Sequence, residues 1–114
     1  MTTEPDEVCE VVITAPDEAW LLDFTRHLVE ARLAACGHHT SIRSIYTWAG
    51  AVQDESETRV ALHTRSSCVP AIIAITNDRH PYEVPCVIAM PLVGGEPAYL
   101  RWVHDQTRDP GGEV

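Results

Sequence analysis

Lysine is absent from this 114-residue chain, and all eight basic residues are arginine. We read that absence as a coding bias rather than as chemistry. The shortage of cations carries more weight, because 17 acidic residues against 8 basic ones leave a formal charge of −9. A polyanion is bound by clustered cations that displace its counterions, and none cluster here, which argues against nucleic acid as a partner. No apolar run is long enough to span a bilayer, and the acidic start from Met1 to Glu7 is unlike a secretory signal. The expected location is the cytoplasm. No Cys-x-x-Cys pair occurs among Cys9, Cys36, Cys68 and Cys86, so zinc-finger spacing is missing and reduced thiols, mostly packed as small core residues, are expected. A phosphate loop, a metalloprotease motif and a Ser/His/Asp order are missing too, so an enzyme is not expected.

What is present suits one globular domain over residues 8–108, with loose polar ends at 1–7 and 109–114. Cys9, Val11 and Ile13 alternate with Glu10, Val12 and Thr14, predicting a largely buried strand. Pro16, Asp17 and Glu18 open a helix whose apolar face is Leu21, Phe24, Leu28, Ala31 and Ala35, with Gly37 expected as its left-handed cap. An extended run from Thr40 to Val52 places Ile42, Ser44, Tyr46 and Trp48 on one face, with Gly50 as a bend or bulge. Gln53 to Ser56 reads as a polar turn, and Thr58 to Arg65 as the second strand of a long hairpin. Ser67 to Asp78 is open between strand, by its isoleucines, and helix; the need for a crossover favours helix. Val84 to Leu92 reads as an edge strand between prolines, and Glu96 to Arg108 as a last helix with Tyr99, Trp102 and Val103 in contact.

This order predicts an α+β fold, the split β-α-β arrangement of the ferredoxin-like sandwich with a long β-hairpin and an extra C-terminal helix. The aromatic-bearing strand overhangs so small a sheet, and edges of that kind are normally paired or blocked. Pairing with another subunit is the expectation.

The densest chemistry lies in His80-Pro81-Tyr82-Glu83-Val84-Pro85. Two prolines hold an imidazole, a phenol and a carboxylate on a stiff corner. The corner reads either as a site or as a helix-to-strand turn with a buried tyrosine.

Four motifs together resemble the CutA family of divalent-cation tolerance proteins: Thr14-Ala15-Pro16-Asp17-Glu18, Ala31-Arg32-Leu33-Ala34-Ala35-Cys36, Ser44-Ile45-Tyr46-x-Trp48-x-Gly50 and the His80 to Pro85 corner. Tyr99-Leu100-x-Trp102 agrees with them. The resemblance implies a homotrimer in which hairpin strands add to neighbouring sheets, and a link to tolerance of copper and other divalent cations. Some members assign copper to three positions, of which this chain keeps only His80, with Ile13 and Arg79 at the others. His63 stands where lysine is usual, and Cys86 where glutamate is usual.

Imidazole and thiolate suit copper, which makes His80, Cys86 and Cys36 the candidate metal ligands. Cys36 also reads as core packing at the helix end, and the Cys36-x-His38-His39 cluster as a cap and turn in preference to a ligand set. His63, Tyr82 and Glu83 are candidates to line a cleft between subunits, with Tyr46 and Trp48 at the interface. Two functions follow: a trimeric copper or divalent-metal tolerance protein, or a trimeric signalling or binding module that takes a small molecule or protein in that cleft.

Overall fold

A computed structural model describes residues 6–108. Strand β1 (Val8–Ala15) buries Cys9, Val11, Ile13 and Ala15 on one face. Helix α1 (Glu18–Glu30) begins where Asp17 accepts the Trp20 N–H at 3.0 Å, an N-cap that satisfies one of the helix's orphan donors. Leu21, Phe24, Thr25 and Leu28 form its buried face.

The end of α1 differs from the sequence expectation. The left-handed residue is Arg32, with φ of 63°, and not Gly37. Arg32 is held there by bonds from its guanidinium to the Asp105 and Gln106 carbonyls, at 2.7 and 3.2 Å. Gly37 instead lies inside strand β2 (Cys36–Trp48). A Cβ at that position would stand 2.7 Å from Thr25 Cγ2 and 2.9 Å from Val60 Cγ2, so glycine is required by the close approach of α1 to the sheet.

Strand β3 (Ala51–Arg65) follows a two-residue turn at Ala49 and Gly50, whose φ values of 54° and 80° suit the primed turns that match strand twist. Gly50 is therefore the hairpin turn, not a bulge. Gln53 to Ser56 do not form a turn either; they pair in register with Tyr46 to Arg43. The ladder holds them, and Asp54 accepts two bonds from Arg43 at 2.7 and 3.0 Å.

A 3₁₀ turn (Ser66–Cys68) leads into helix α2 (Val69–Arg79), with Pro70 in its first turn. The helical alternative holds for this segment. Strand β4 (Val87–Pro91) starts three residues later than the pattern suggested, because the corner occupies Pro81 to Cys86. Helix α3 (Pro97–Gln106) is capped by Glu96, which accepts the Tyr99 N–H at 2.8 Å.

The sheet is antiparallel in the order β2-β3-β1-β4, the ferredoxin-like arrangement. Val11, Ile13, Val60 and Leu62 pack against Leu21, Phe24, Leu28 and Ile72 to make the core under α1 and α2. Helix α3 reaches the alternate face, where Tyr99 touches His63. Arg65 fixes the end of α3 by donating to the carbonyls of His104 and Thr107. The pairs from Ile42↔Glu57 to Trp48↔Ala51 lie beyond the last β1 partner, Thr58, so β2 and β3 continue as a two-stranded ribbon of roughly 20 Å. Most of the loose ends expected from sequence lie outside the described residues. Asp6, expected in the first of them, is fastened by Ser66, Ser67 and Arg65.

Candidate functional site

The corner after α2 is built around His80. Pro81 pushes His80 out of helical geometry, to φ −68° and ψ 141°, while its N–H still closes the last turn on Thr76. Its buried ring accepts the Tyr82 N–H at Nδ1 (3.0 Å) and donates from Nε2 to the Thr14 carbonyl (2.7 Å). Trp20 packs edge-on against it. Both nitrogens are committed to the backbone, so in this conformation neither has an open lone pair, and the ring clamps the corner to the end of β1.

The corner faces the ribbon across a groove of about 830 Å³, walled by Ile45, Tyr46 and Trp48 on one side and Tyr82, Glu83 and Cys86 on the other. Tyr82 donates its hydroxyl to the buried Glu57 carboxylate at 2.7 Å, and Tyr46 donates to Glu55 at 2.8 Å. Burial first, then the Glu57 and Tyr46 bonds, hold the Tyr82 phenol above its ordinary range. The bond to Glu55 raises Tyr46 likewise. Both hydroxyls are donors at neutral pH and poor bases. The Cys86 thiol is exposed.

A second cluster shares no residue with the groove. Register places Cys36 opposite His63 on β3, and His63 opposite Glu10 on β1, so the three form one row across three strands. His38 stands two residues along from Cys36 and therefore on the same face. One potential ligand atom each from Cys36, His38 and His63 lies within 4.8 Å of the others. His63 Nε2 is 3.0 Å from Glu10 Oε2, which only accepts. Nε2 is therefore the donor, and Nδ1 turns its lone pair towards Tyr99 Oη at 2.5 Å and Cys36 Sγ at 3.8 Å. Tyr99 Oη also lies 3.3 Å from Cys36 Sγ. Burial first, then the bond and charge of Cys36 and the charge of Glu10, push the Tyr99 phenol up to about 12.

The structure brings Tyr82 and Glu83 to the groove with Tyr46, Trp48 and Cys86, and does not bring His63 there. His80, Cys86 and Cys36 do not converge on one point. Cys36 meets His63 instead, and the cap-and-turn reading of Cys36-x-His38-His39 gives way to strand, because Ala35 N–H already bonds the His63 carbonyl at 2.8 Å and opens the ladder. Sequence reasoning missed Glu10 as a partner and read Glu57, with Asp54 and Glu55, as a solvated turn, whereas Glu57 is buried in β3 and accepts from Tyr82. Their only signal is position, since each becomes a partner through cross-strand register or a contact from the distant corner.

The CutA1 divalent ion tolerance protein family matches residues 9–106. Mouse protein CutA is 42% identical over 104 residues, covering 90% of this chain and 59% of the mouse protein. The chain spans about three fifths of the length of the mammalian relatives it matches. Among solved structures, CutA1 from Oryza sativa superposes with a TM-score of 0.87 at 32% identity, covering 91% of this chain and 96% of the rice chain. The divalent cation tolerance protein from Thermus thermophilus gives a TM-score of 0.85 at 33% identity, over 89% and 99% of the two chains.

Proposed function

The chain belongs to the CutA1 divalent ion tolerance family, and from that premise we propose that it is a homotrimeric divalent-metal tolerance protein that takes up copper or a similar cation. It acts in the cytoplasm by binding and not by catalysis. The observation that carries this reading is the ribbon. A two-stranded hairpin in water is marginal on its own, yet this one extends past the sheet with Ile45 68% exposed and Val52 73% exposed. Addition of each ribbon to a neighbouring sheet covers those side chains and pairs the free edge of β2. Tyr46 and Trp48 then sit at the interface, and the groove becomes a cleft between subunits. In the described residues no helix is long and apolar enough to cross a membrane.

The binding-only reading is supported by the groove's chemistry, where the two phenols are held as hydrogen-bond donors. His80 supports the cleft by fixing the corner; a cation there would first have to displace the Tyr82 N–H. A second reading, a binding module for a small molecule, is favoured by the groove volume and by the paired Tyr82–Glu57 and Tyr46–Glu55 donors. Sedimentation of wild type and of Trp48→Asp, with copper(II) titrated into each, tests the proposal. A three-chain species that binds copper, and dissociates in the variant, supports it. A folded single chain at micromolar concentration, or a trimer that is indifferent to copper, overturns it.

A further inference from the structure

We propose that Cys36, His38 and His63 form a centre for a borderline transition-metal cation such as zinc(II) or cobalt(II), with Glu10 as the positioning residue behind it. The inference deepens the cation-tolerance reading by saying where an ion is held, and it does not depend on assembly.

Three features point to an ion and not to packing. The first is ligand chemistry: one thiolate and two imidazoles are the donor set that borderline cations select over water and carboxylate. The second is spacing. Around a tetrahedral zinc, sulfur and nitrogen ligands stand about 3.6 Å apart given ordinary bond lengths. Cys36 Sγ and His63 Nδ1 are already 3.8 Å apart. His38 must close the rest from a separation no greater than 4.8 Å, and its exposed ring already stands edge-on to the His63 ring with centroids 5.3 Å apart. The third is the support behind the ligand. Glu10 accepts the hydrogen bond from His63 Nε2–H, leaving Nδ1 as the electron-pair donor on the side of Tyr99 and Cys36. A carboxylate holding the far nitrogen of a histidine is how ligating imidazoles are oriented and made more basic.

Tyr99 completes the arrangement. Its hydroxyl sits beside the Cys36–His63 pair within reach of both ligand atoms, and satisfies His63 Nδ1. A cation bound here would release the Cys36 proton to solvent and take the place of the Tyr99 hydroxyl at His63 Nδ1, with a fourth position open to water.

Titration of cobalt(II) into the full chain, followed by absorption, tests the assignment. Wild type is expected to take one cobalt per chain, with the d–d bands of tetrahedral geometry and a sulfur-to-cobalt charge-transfer band. Cys36→Ser loses the charge-transfer band, and His38→Ala, at an exposed position that does not threaten folding, binds more weakly. Glu10→Gln weakens binding roughly 10- to 100-fold while keeping the bands. Cys86→Ser, whose exposed thiol lies in the groove and outside the cluster, keeps the cobalt spectrum of wild type. A charge-transfer band that survives Cys36→Ser but disappears in Cys86→Ser places the ion in the groove and overturns this site while leaving the tolerance reading intact. Absence of any band from folded wild type also overturns it. Bands that persist in a protein sedimenting as a single chain uphold the site and remove the trimer instead.

Discussion

A methyl group at Gly37 has nowhere to go, since Thr25 and Val60 already occupy its place. Gly37→Ala is therefore expected to destabilise the fold by about 1–3 kcal/mol through overpacking, read as a lower urea midpoint at unchanged slope. An unchanged midpoint would mean that α1 can lift off the sheet at little cost. Asp6 gives a pH dependence of known sign. Burial alone would raise its carboxyl, but donors from Ser67 and Ser66, with Arg65 nearby, outweigh burial and hold it below the ordinary range. The unfolded chain thus binds the proton more readily, and stability rises with pH across that window. The contribution is fully present above about pH 4 and is lost as pH falls through the lower, folded value. Asp6→Asn should flatten the acid limb of a thermal-melt series below pH 4 and leave it parallel to wild type near neutrality.

Among the elements, the corner and the hairpin show what a sequence reveals and what it hides. Strand β1, helix α1, the helical nature of Ser67 to Asp78 and the antiparallel hairpin were legible because each follows from local periodicity, capping or proline placement. The turn at Ala49 and Gly50 was not, because four polar residues from Gln53 to Ser56 resemble a loop when read singly. In the ladder they are solvated cross-strand partners of Arg43 to Tyr46, with Arg43 reaching Asp54 diagonally. Gly37 was misplaced for a related reason: its small size answers a contact with α1 and β3, not a local backbone need. The site was less legible than the fold. Cys36-x-His38 already carries the period of a strand, but His63, Glu10 and Tyr99 join it only through register and the return of α3. At the corner, Tyr82→Phe removes the hydroxyl that bonds the buried Glu57. A loss of roughly 1–3 kcal/mol in chemical denaturation is expected from the unsatisfied carboxylate; a neutral result would show that Glu57 finds another donor.

For the whole molecule, the elongated outline of 51 × 28 × 26 Å comes from the ribbon standing clear of the body. If copies assemble through it, native chains are stabilised by mass action. The melting temperature of wild type should then climb with protein concentration, and that of Trp48→Asp should not. A concentration-independent melt for both would argue that the ribbon is stable unaided. The body and the ribbon also divide the labour of the same two strands. From Thr58 to Arg65, β3 is zipped against β1 and committed to the core, and Glu57 is tied to the corner by Tyr82; from Ala51 to Ser56 it pairs only with β2. Substitutions in the outer stretch are therefore free to change which molecules this chain associates with, while the inner stretch keeps deciding whether it has a shape at all.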